Sequence, residues 1–224
     1  MQLPSAVLFD MDGLLVDTEV LWFDVQDAVM RGFGLRWTAD DQHATLGTPL
    51  EGSARYILGR AGVTGAEADA RWRALADELI ERMVVAERGG VEVMPGAYDL
   101  LDALGDAGVP LAVVSNSQRV LVDGVLETLG AHRFATTVSA TEVRRGKPDP
   151  EPYLTAAQRL GARPGDCVVV EDSLTGATAG VAAGCQVLAV PSLPGVAFDP
   201  RVRVVPSLRD VDLALLAELV ARAA

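Results

Sequence analysis

In Ala6-Val7-Leu8-Phe9-Asp10-Met11-Asp12-Gly13, four apolar residues in succession run straight into two carboxylates one residue apart and then a glycine. A short run that is apolar at every position suits a strand buried on both faces, as in a parallel sheet covered by helices. The figure recurs along the chain. Leu111 to Val114 leads into Ser115-Asn116-Ser117, and Cys167 to Val170 leads into Glu171-Asp172-Ser173. Further apolar runs lie at Thr137 to Ser139, Gln186 to Val190 and Val202 to Val205. Segments of helical spacing stand between them: Leu100, Leu101, Leu104 and Ala107, then Leu121, Val125, Leu126 and Leu129, with Gly108 and Gly130 placed as helix stops. This alternation predicts an α/β fold, a parallel sheet packed with helices.

One segment breaks the alternation. From residue 17 to residue 88 the spacing is helical throughout, with Trp22, Val25, Val29 and Phe33 followed by Tyr56, Ile57 and the stretch Arg71 to Val85, and no strand run is expected there. The chain is therefore divided into a core of residues 1–16 and 89–224 and a small all-helical domain of residues 17–88. Gly13 and the Gly89-Gly90 pair flank the insertion as hinge candidates, although ordinary loop glycines are as common. Thr18 is expected to cap the first inserted helix through its hydroxyl, with Glu19 favouring the helix dipole.

Composition narrows the function. The chain has 224 residues, half of them hydrophobic, and a net charge of -12 with no run of basic residues, which argues against a nucleic-acid or anionic-membrane binder. Its two cysteines, Cys167 and Cys185, fit no metal or redox spacing and read as buried thiols in a reducing compartment. The N-terminal residues show no signal-peptide pattern and no apolar run reaches bilayer length, so a cytoplasmic, soluble monomer is expected. Two distant histidines, His43 and His132, exclude a zinc site built on imidazoles.

In an open parallel sheet, the loops at the carboxyl ends of the strands converge on the ligand. That would bring Asp10, Asp12, Glu171 and Asp172 into one crevice. Like charges so crowded need a cation, and hard oxygen ligands suit Mg2+. The chain has 19 basic side chains, and the single lysine among them, Lys147, stands in the turn Gly146-Lys147-Pro148-Asp149-Pro150. A compact ammonium differs from the planar fork of arginine. Together with the Ser115 hydroxyl and backbone N–H groups at helix starts near Ser115 and Ser173, it equips the crevice for a phosphate. Each feature has a blander use: Glu171 and Asp172 could cap the next helix, Ser115 could be an N-cap, and Lys147 could be solvated.

The four segments, in order, resemble the motifs of the haloacid dehalogenase superfamily: Leu8-Phe9-Asp10-Met11-Asp12-Gly13, Val114-Ser115-Asn116-Ser117, Gly146-Lys147-Pro148-Asp149-Pro150 and Val170-Glu171-Asp172-Ser173. The resemblance spans almost the whole chain, with the helical insertion in the position of the superfamily's small cap, and is strongest to its sugar-phosphatase and β-phosphoglucomutase-like members. It implies a Rossmann-like core and a Mg2+-dependent phosphomonoester hydrolase acting on small phosphorylated metabolites, with sugar phosphates foremost. Asp10 would be the nucleophile, forming an aspartyl-phosphate, and Asp12 the general acid and base. Ser115, Asn116 and Lys147 would bind the phosphoryl group, Asn116 through its backbone. The metal would be held by Asp10, the Asp12 carbonyl and Asp172, with Glu171 either a ligand or a supporting partner.

Departures from the pattern choose among reactions. Asp12 supplies the proton donor that a dehalogenase does not need, and the insertion has no lysine for the Schiff base of a phosphonate hydrolase. A phosphosugar mutase of the β-phosphoglucomutase type is the nearest alternative, but Trp22, Leu46 and Leu50 stand where such mutases carry cationic cap residues. A non-catalytic phosphometabolite-binding module is disfavoured by the intact Asp10, Asp12, Lys147 and Asp172. Within the insertion, His43, Arg55 and Trp72 are candidates for substrate contact, yet residues of these kinds more often serve packing or solvation. Trp22 and the loop Leu46-Gly47-Thr48 are more evenly balanced. A pocket walled by so few side chains predicts a broad range of phosphate esters.

Overall fold

The computed structural model describes residues 2–45, 48–192 and 194–221. Along the chain run β1 (Ala6–Phe9), β2 (Val16–Asp17), α1 (Glu19–Gly32), α2 (Ala39–Thr45), α3 (Leu50–Arg60), α4 (Gly65–Glu87), β3 (Glu92–Val93), α5 (Ala97–Asp106), β4 (Leu111–Val114), α6 (Arg119–Leu129), β5 (Thr136–Val138), α7 (Glu151–Arg159), β6 (Cys167–Glu171), α8 (Leu174–Ala182), β7 (Gln186–Ala189), β8 (Arg203–Val204) and α9 (Leu213–Ala221). They form two compact units, one made of the chain up to Asp17 and from Val91 onward, the other of Thr18–Gly90.

The first unit is built on a six-stranded sheet in the order β5-β4-β1-β6-β7-β8, every pair parallel. The apolar runs are buried on both faces because helices cover both. Leu8, Ala112, Val114 and Val169 pack with Tyr153 and Ala156 of α7 and Ala177 of α8, while the alternate residues Val7, Phe9, Val113 and Val170 are equally buried. Successive connections build outward from β1 in opposite directions, first to β4 and β5, later to β6 and β7. The strand order therefore reverses at β1, where a parallel sheet opens a crevice. Register fixes what meets there: Phe9 lies opposite Val113 of β4 and Val170 of β6, and Asp10 N–H donates to the Val170 carbonyl at 3.0 Å.

Two features differ from the sequence expectation. A two-residue antiparallel pairing, Val16 with Val93 and Asp17 with Glu92, joins β2 to β3 where the chain leaves and re-enters the first unit. Two residues are too few to carry a recognisable alternation. Thr18 does stand at the N-cap of α1, but in a helical conformation (φ -91, ψ -10), so its side chain makes no capping bond.

In the second unit α4 packs on α1 and α3. Two of its buried carboxylates, Asp27 and Asp41, are closely matched. Asp27 accepts from Arg31 Nε at 2.8 Å, Arg36 Nε at 3.1 Å and the Trp37 N–H at 3.0 Å. Asp41 accepts from Tyr56 at 2.8 Å and from the Thr38 N–H and hydroxyl at 2.9 and 2.8 Å, and it pairs with Arg60. Among the described residues, no helix is long and apolar enough to cross a membrane. Cys167 and Cys185 are free and buried, and burial pushes their thiols up to about 11 and about 12, the state of inert packing residues.

Candidate active site

Three adjacent strand ends, β1, β4 and β6, and the turn before α7 bring the motif residues together. Asp10, Glu171 and Asp172 are all buried, with carboxylate oxygens within 4.8 Å of one another. Glu171 is the last residue of β6 and not part of the following loop, which directs its side chain to the face covered by α7. Gly13 permits the approach of Asp172: its φ is +80°, and a Cβ there would stand 2.5 Å from Asp172 Oδ2.

Lys147 is buried in this cluster, and its ammonium makes three contacts. It donates to Asp10 Oδ1, to Glu171 Oε1 at 2.6 Å and to the Val114 carbonyl at 2.7 Å. Solvation of Lys147 at the surface is thereby excluded. Burial works against its charge, but the carboxylates of Asp10 and Glu171 outweigh burial and hold it above the usual lysine range. For Asp10 the balance falls the other way. Burial first, then repulsion by Glu171, outweighs the attraction of Lys147 and holds its carboxyl well above the usual range. Asp172 is pushed up to about 7, by burial and then by Glu171, against a hydrogen bond from Ser192.

Asp12 Oδ2 accepts from two hydroxyls, Ser115 Oγ at 2.9 Å and Ser117 Oγ at 2.8 Å. Ser115 is not a helix cap: α6 begins at Arg119 with Gln118 at its N-cap, and the Ser115 N–H is engaged by the Val138 carbonyl at 2.9 Å. That N–H continues the sheet ladder. Ser173 does cap α8, its Oγ accepting from the Gly176 N–H at 3.0 Å. The Asn116 side chain has a structural use as well. Its Nδ2 donates to the Lys147 carbonyl at 3.1 Å and its Oδ1 accepts from the Lys147 N–H at 2.9 Å, clamping the backbone that carries the ammonium. Gly146 leaves room for this clamp, since a Cβ there would be 2.7 Å from Asn116 Oδ1.

Two further partners carry no signal in the sequence. Ser117 stands within a quoted motif without an assigned role, and Tyr153 has the spacing of an ordinary core residue of α7, yet its hydroxyl donates to Glu171 Oε1 at 2.5 Å. In the helical unit, Arg55 pairs with Glu51 and Asp69 and lies over the Trp72 ring at 5.4 Å, which gives both residues a structural use. Trp22 is half-buried, His43 and Thr48 are exposed, and Leu46 and Gly47 lie outside the described residues.

The donor set fits a hard divalent ion. Asp10, Glu171 and Asp172 are buried against one ammonium, and two of them are held above their usual range, so the cluster has more negative charge than the protein itself neutralises. Fold and site together define an α/β enzyme with a carboxylate nucleophile at the central strand end.

Comparison with known proteins agrees. A family model described as haloacid dehalogenase-like hydrolase matches residues 4–184. Hexitol phosphatase A of Escherichia coli is 33% identical over 213 residues, covering 93% of this chain and 88% of that protein. The bifunctional riboflavin kinase/FMN phosphatase of Arabidopsis thaliana is 33% identical over 199 residues, which is 86% of this chain but only 50% of that protein's length. The crystal structure of CbbY from Rhodobacter sphaeroides in complex with phosphate superposes with a TM-score of 0.82 at 25% identity, covering 96% of this chain and 99% of that one. A hydrolase of the same superfamily from Deinococcus radiodurans, with bound phosphate and sodium, is 32% identical with a TM-score of 0.67, covering 97% and 89%. The chain belongs to the haloacid dehalogenase-like hydrolases. Its chemistry is phosphomonoester hydrolysis with Asp10 as the nucleophile.

Proposed function

We propose that the chain is a cytoplasmic, monomeric phosphatase of small phosphate esters, sugar phosphates foremost, in which Asp12, Ser115, Lys147 and Asp172 serve Asp10. The observation that carries this reading is the contact of the only lysine in the chain with the nucleophilic carboxylate inside a buried acidic cluster. Lys147 orients Asp10 through Oδ1 and offers its ammonium to the transferring phosphoryl oxygens. Asp10 attacks phosphorus, a bond forms between its carboxylate oxygen and phosphorus, and the ester P–O bond breaks. Asp12, held by the Ser115 and Ser117 hydroxyls, gives a proton to the departing alkoxide. It then takes a proton from the water that attacks the aspartyl-phosphate, releasing inorganic phosphate and restoring Asp10.

Asp10, the Asp12 carbonyl and Asp172 would hold Mg2+, which would supply positive charge where one anion attacks another. Glu171 is engaged by Lys147, Tyr153 and Ser173, an arrangement that supports a role in holding Lys147 rather than the metal. The insertion of residues 17–88 would serve as the cap that selects the leaving group. Hexitol phosphatase A and the Escherichia coli fructose-1-phosphate phosphatase YqaB, 32% identical over 189 residues, support sugar or sugar-alcohol phosphates as substrates.

The test is phosphate release from a panel of hexose, hexitol and flavin phosphates with Mg2+ and with a chelator. Turnover of several sugar phosphates, lost on chelation, is the expected outcome. Primer-dependent conversion of a hexose 1-phosphate to its 6-phosphate without phosphate release would replace hydrolysis by the mutase reaction.

A further inference from the structure

We propose that Tyr153 is a positioning residue for the phosphoryl-binding ammonium, because its hydroxyl and Lys147 Nζ meet on the same oxygen of Glu171 and the phenol thereby sets how tightly Glu171 holds the lysine. The proposal rests on the assignment of Lys147 to the phosphoryl oxygens made above.

The first argument concerns why a phenol is there at all. Tyr153 is fully buried, with Leu8, Val114 and Ala156 in the same apolar cluster, where a phenylalanine would fill nearly the same volume with no polar atom. A buried hydroxyl is costly unless it is hydrogen-bonded, and this one bonds to Glu171 Oε1 at 2.5 Å. Its ring centroid is also 5.0 Å from Lys147 Nζ, so both the ring and the hydroxyl address the same ion pair.

The second argument is that Glu171 has nowhere else to go. Its Oε2 accepts from the Ser173 N–H at 3.3 Å and the Ser173 hydroxyl at 3.0 Å. On the remaining side a Cβ on Gly176 would stand only 1.7 Å from Oε1, so the carboxylate occupies space that only glycine leaves open. A fixed carboxylate makes a fixed anchor.

The third argument is one of counting. An ammonium has three protons. Those of Lys147 go to Asp10, to the Val114 carbonyl and to Glu171. A phosphoryl oxygen that binds Lys147 must compete with one of these acceptors. Glu171 Oε1 is the acceptor already shared with another donor, and an oxygen that accepts from a phenol has less electron density for the ammonium. Removing the hydroxyl would strengthen the hold of Glu171 on Lys147 and weaken the hold of Lys147 on phosphate.

The experiment uses the full chain with Mg2+ and reads calorimetric binding of inorganic phosphate, kcat/KM on the best ester and Tm. Tyr153→Phe should raise the phosphate Kd on the order of tenfold, the ratio that one hydrogen bond to a charged group commands, and lower kcat/KM comparably while Tm changes little. In a Glu171→Gln background the same change should add nothing further. If Tyr153→Phe fails to fold, 3-fluorotyrosine at position 153 keeps the hydroxyl and makes it a stronger donor, and phosphate should then bind more tightly. A lower Tm with unchanged phosphate Kd would reduce Tyr153 to a packing residue, as would an unchanged Kd for the fluorinated chain. Phosphate binding that survives Lys147→Gln would instead remove the assignment of Lys147, and the role of Tyr153 with it.

Discussion

Buried carboxylates occur in both units of the chain, and Asp27 of the helical unit and Asp10 of the sheet unit are held in opposite ways. In the helical unit, Asp27 takes two guanidinium groups and a backbone N–H, and the Trp37 N–H first of all, with Arg31 opposing burial, holds it below its usual range. In the sheet unit, Asp10 is held well above its usual range, because burial and the neighbouring Glu171 outweigh the one ammonium nearby. A carboxylate that serves the fold is given donors until its charge is favourable. One that serves chemistry is left short, and the shortfall is the capacity to bind a cation and to attack an electrophile.

Exchanging each aspartate for asparagine tests this contrast most severely. Asp10→Asn should lower kcat by more than about a thousandfold, since the amide is no nucleophile. The metal-free protein should at the same time be as stable as the parent or more so, because the substitution removes a charge that the folded state disfavours. Steady-state kinetics and thermal unfolding read both effects, and a Tm well below that of the parent would mean that Asp10 is a structural carboxylate after all.

A cation should separate the two units next. Asp172 is pushed up to about 7 from an ordinary value near 3.8, and Asp10 is also raised. Below the ordinary value both groups are protonated in the folded and the unfolded chain alike, so neither affects stability. As pH rises from there toward 7, the unfolded chain ionises while the folded one retains its protons, and the metal-free fold loses stability across that window. Mg2+ should restore what is lost, so its addition should raise Tm by several degrees at pH 8 and by much less at pH 5. Equal gains at the two pH values would place the ion away from these carboxylates.

Asp27→Asn should act in the reverse sense with a smaller effect. Tm should fall by a few degrees, irrespective of Mg2+, and the kcat of the folded enzyme on a small aryl phosphate should stay at the parental value. A metal-dependent fall in Tm would erase the distinction between the units.

The same contrast explains what could be read from sequence. The convergence of Asp10, Asp12 and Asp172 was legible because they follow the ends of β1 and β6, and strand ends are marked by apolar runs that stop abruptly. The lone lysine among arginines stood out for a different reason: its chemistry was not interchangeable. The supporting residues carried no such mark. Tyr153 is an aromatic residue at helical spacing, and the same spacing serves ordinary packing; only the pairing of β1 with β6 and the packing of α7 over them bring its hydroxyl to Glu171. The role of the Asn116 side chain depends on a loop 31 residues away, and the β2–β3 pairing on two residues in each strand. Each is a product of tertiary approach, which local pattern does not encode.

The smallest expected effect belongs to a carboxylate of the sheet unit that behaves like those of the helical one. Glu142 binds Arg119 and, at 3.0 Å, Arg159 Nη1, and it caps its own turn through the Ser139 N–H at 2.9 Å and hydroxyl at 2.8 Å. Burial pushes its carboxyl up, but the Ser139 N–H and Arg119 outweigh burial and bring it down to about 2 from an ordinary 4.5. The folded chain therefore releases this proton more readily than the unfolded one. The stabilisation is fully present above pH 4.5 and is lost as pH falls from 4.5 toward 2. Because the group is exposed, solvent screening makes the effect slight. Glu142→Gln should lower Tm by only one or two degrees, on the order expected for a surface pair, near neutral pH, and the difference from the parent should close as pH falls toward 2. A gap that stays constant down to pH 2 would show that Glu142 stabilises by shape and not by charge. The rule separating matched from unmatched carboxylates would then depend on burial, not on the supply of donors.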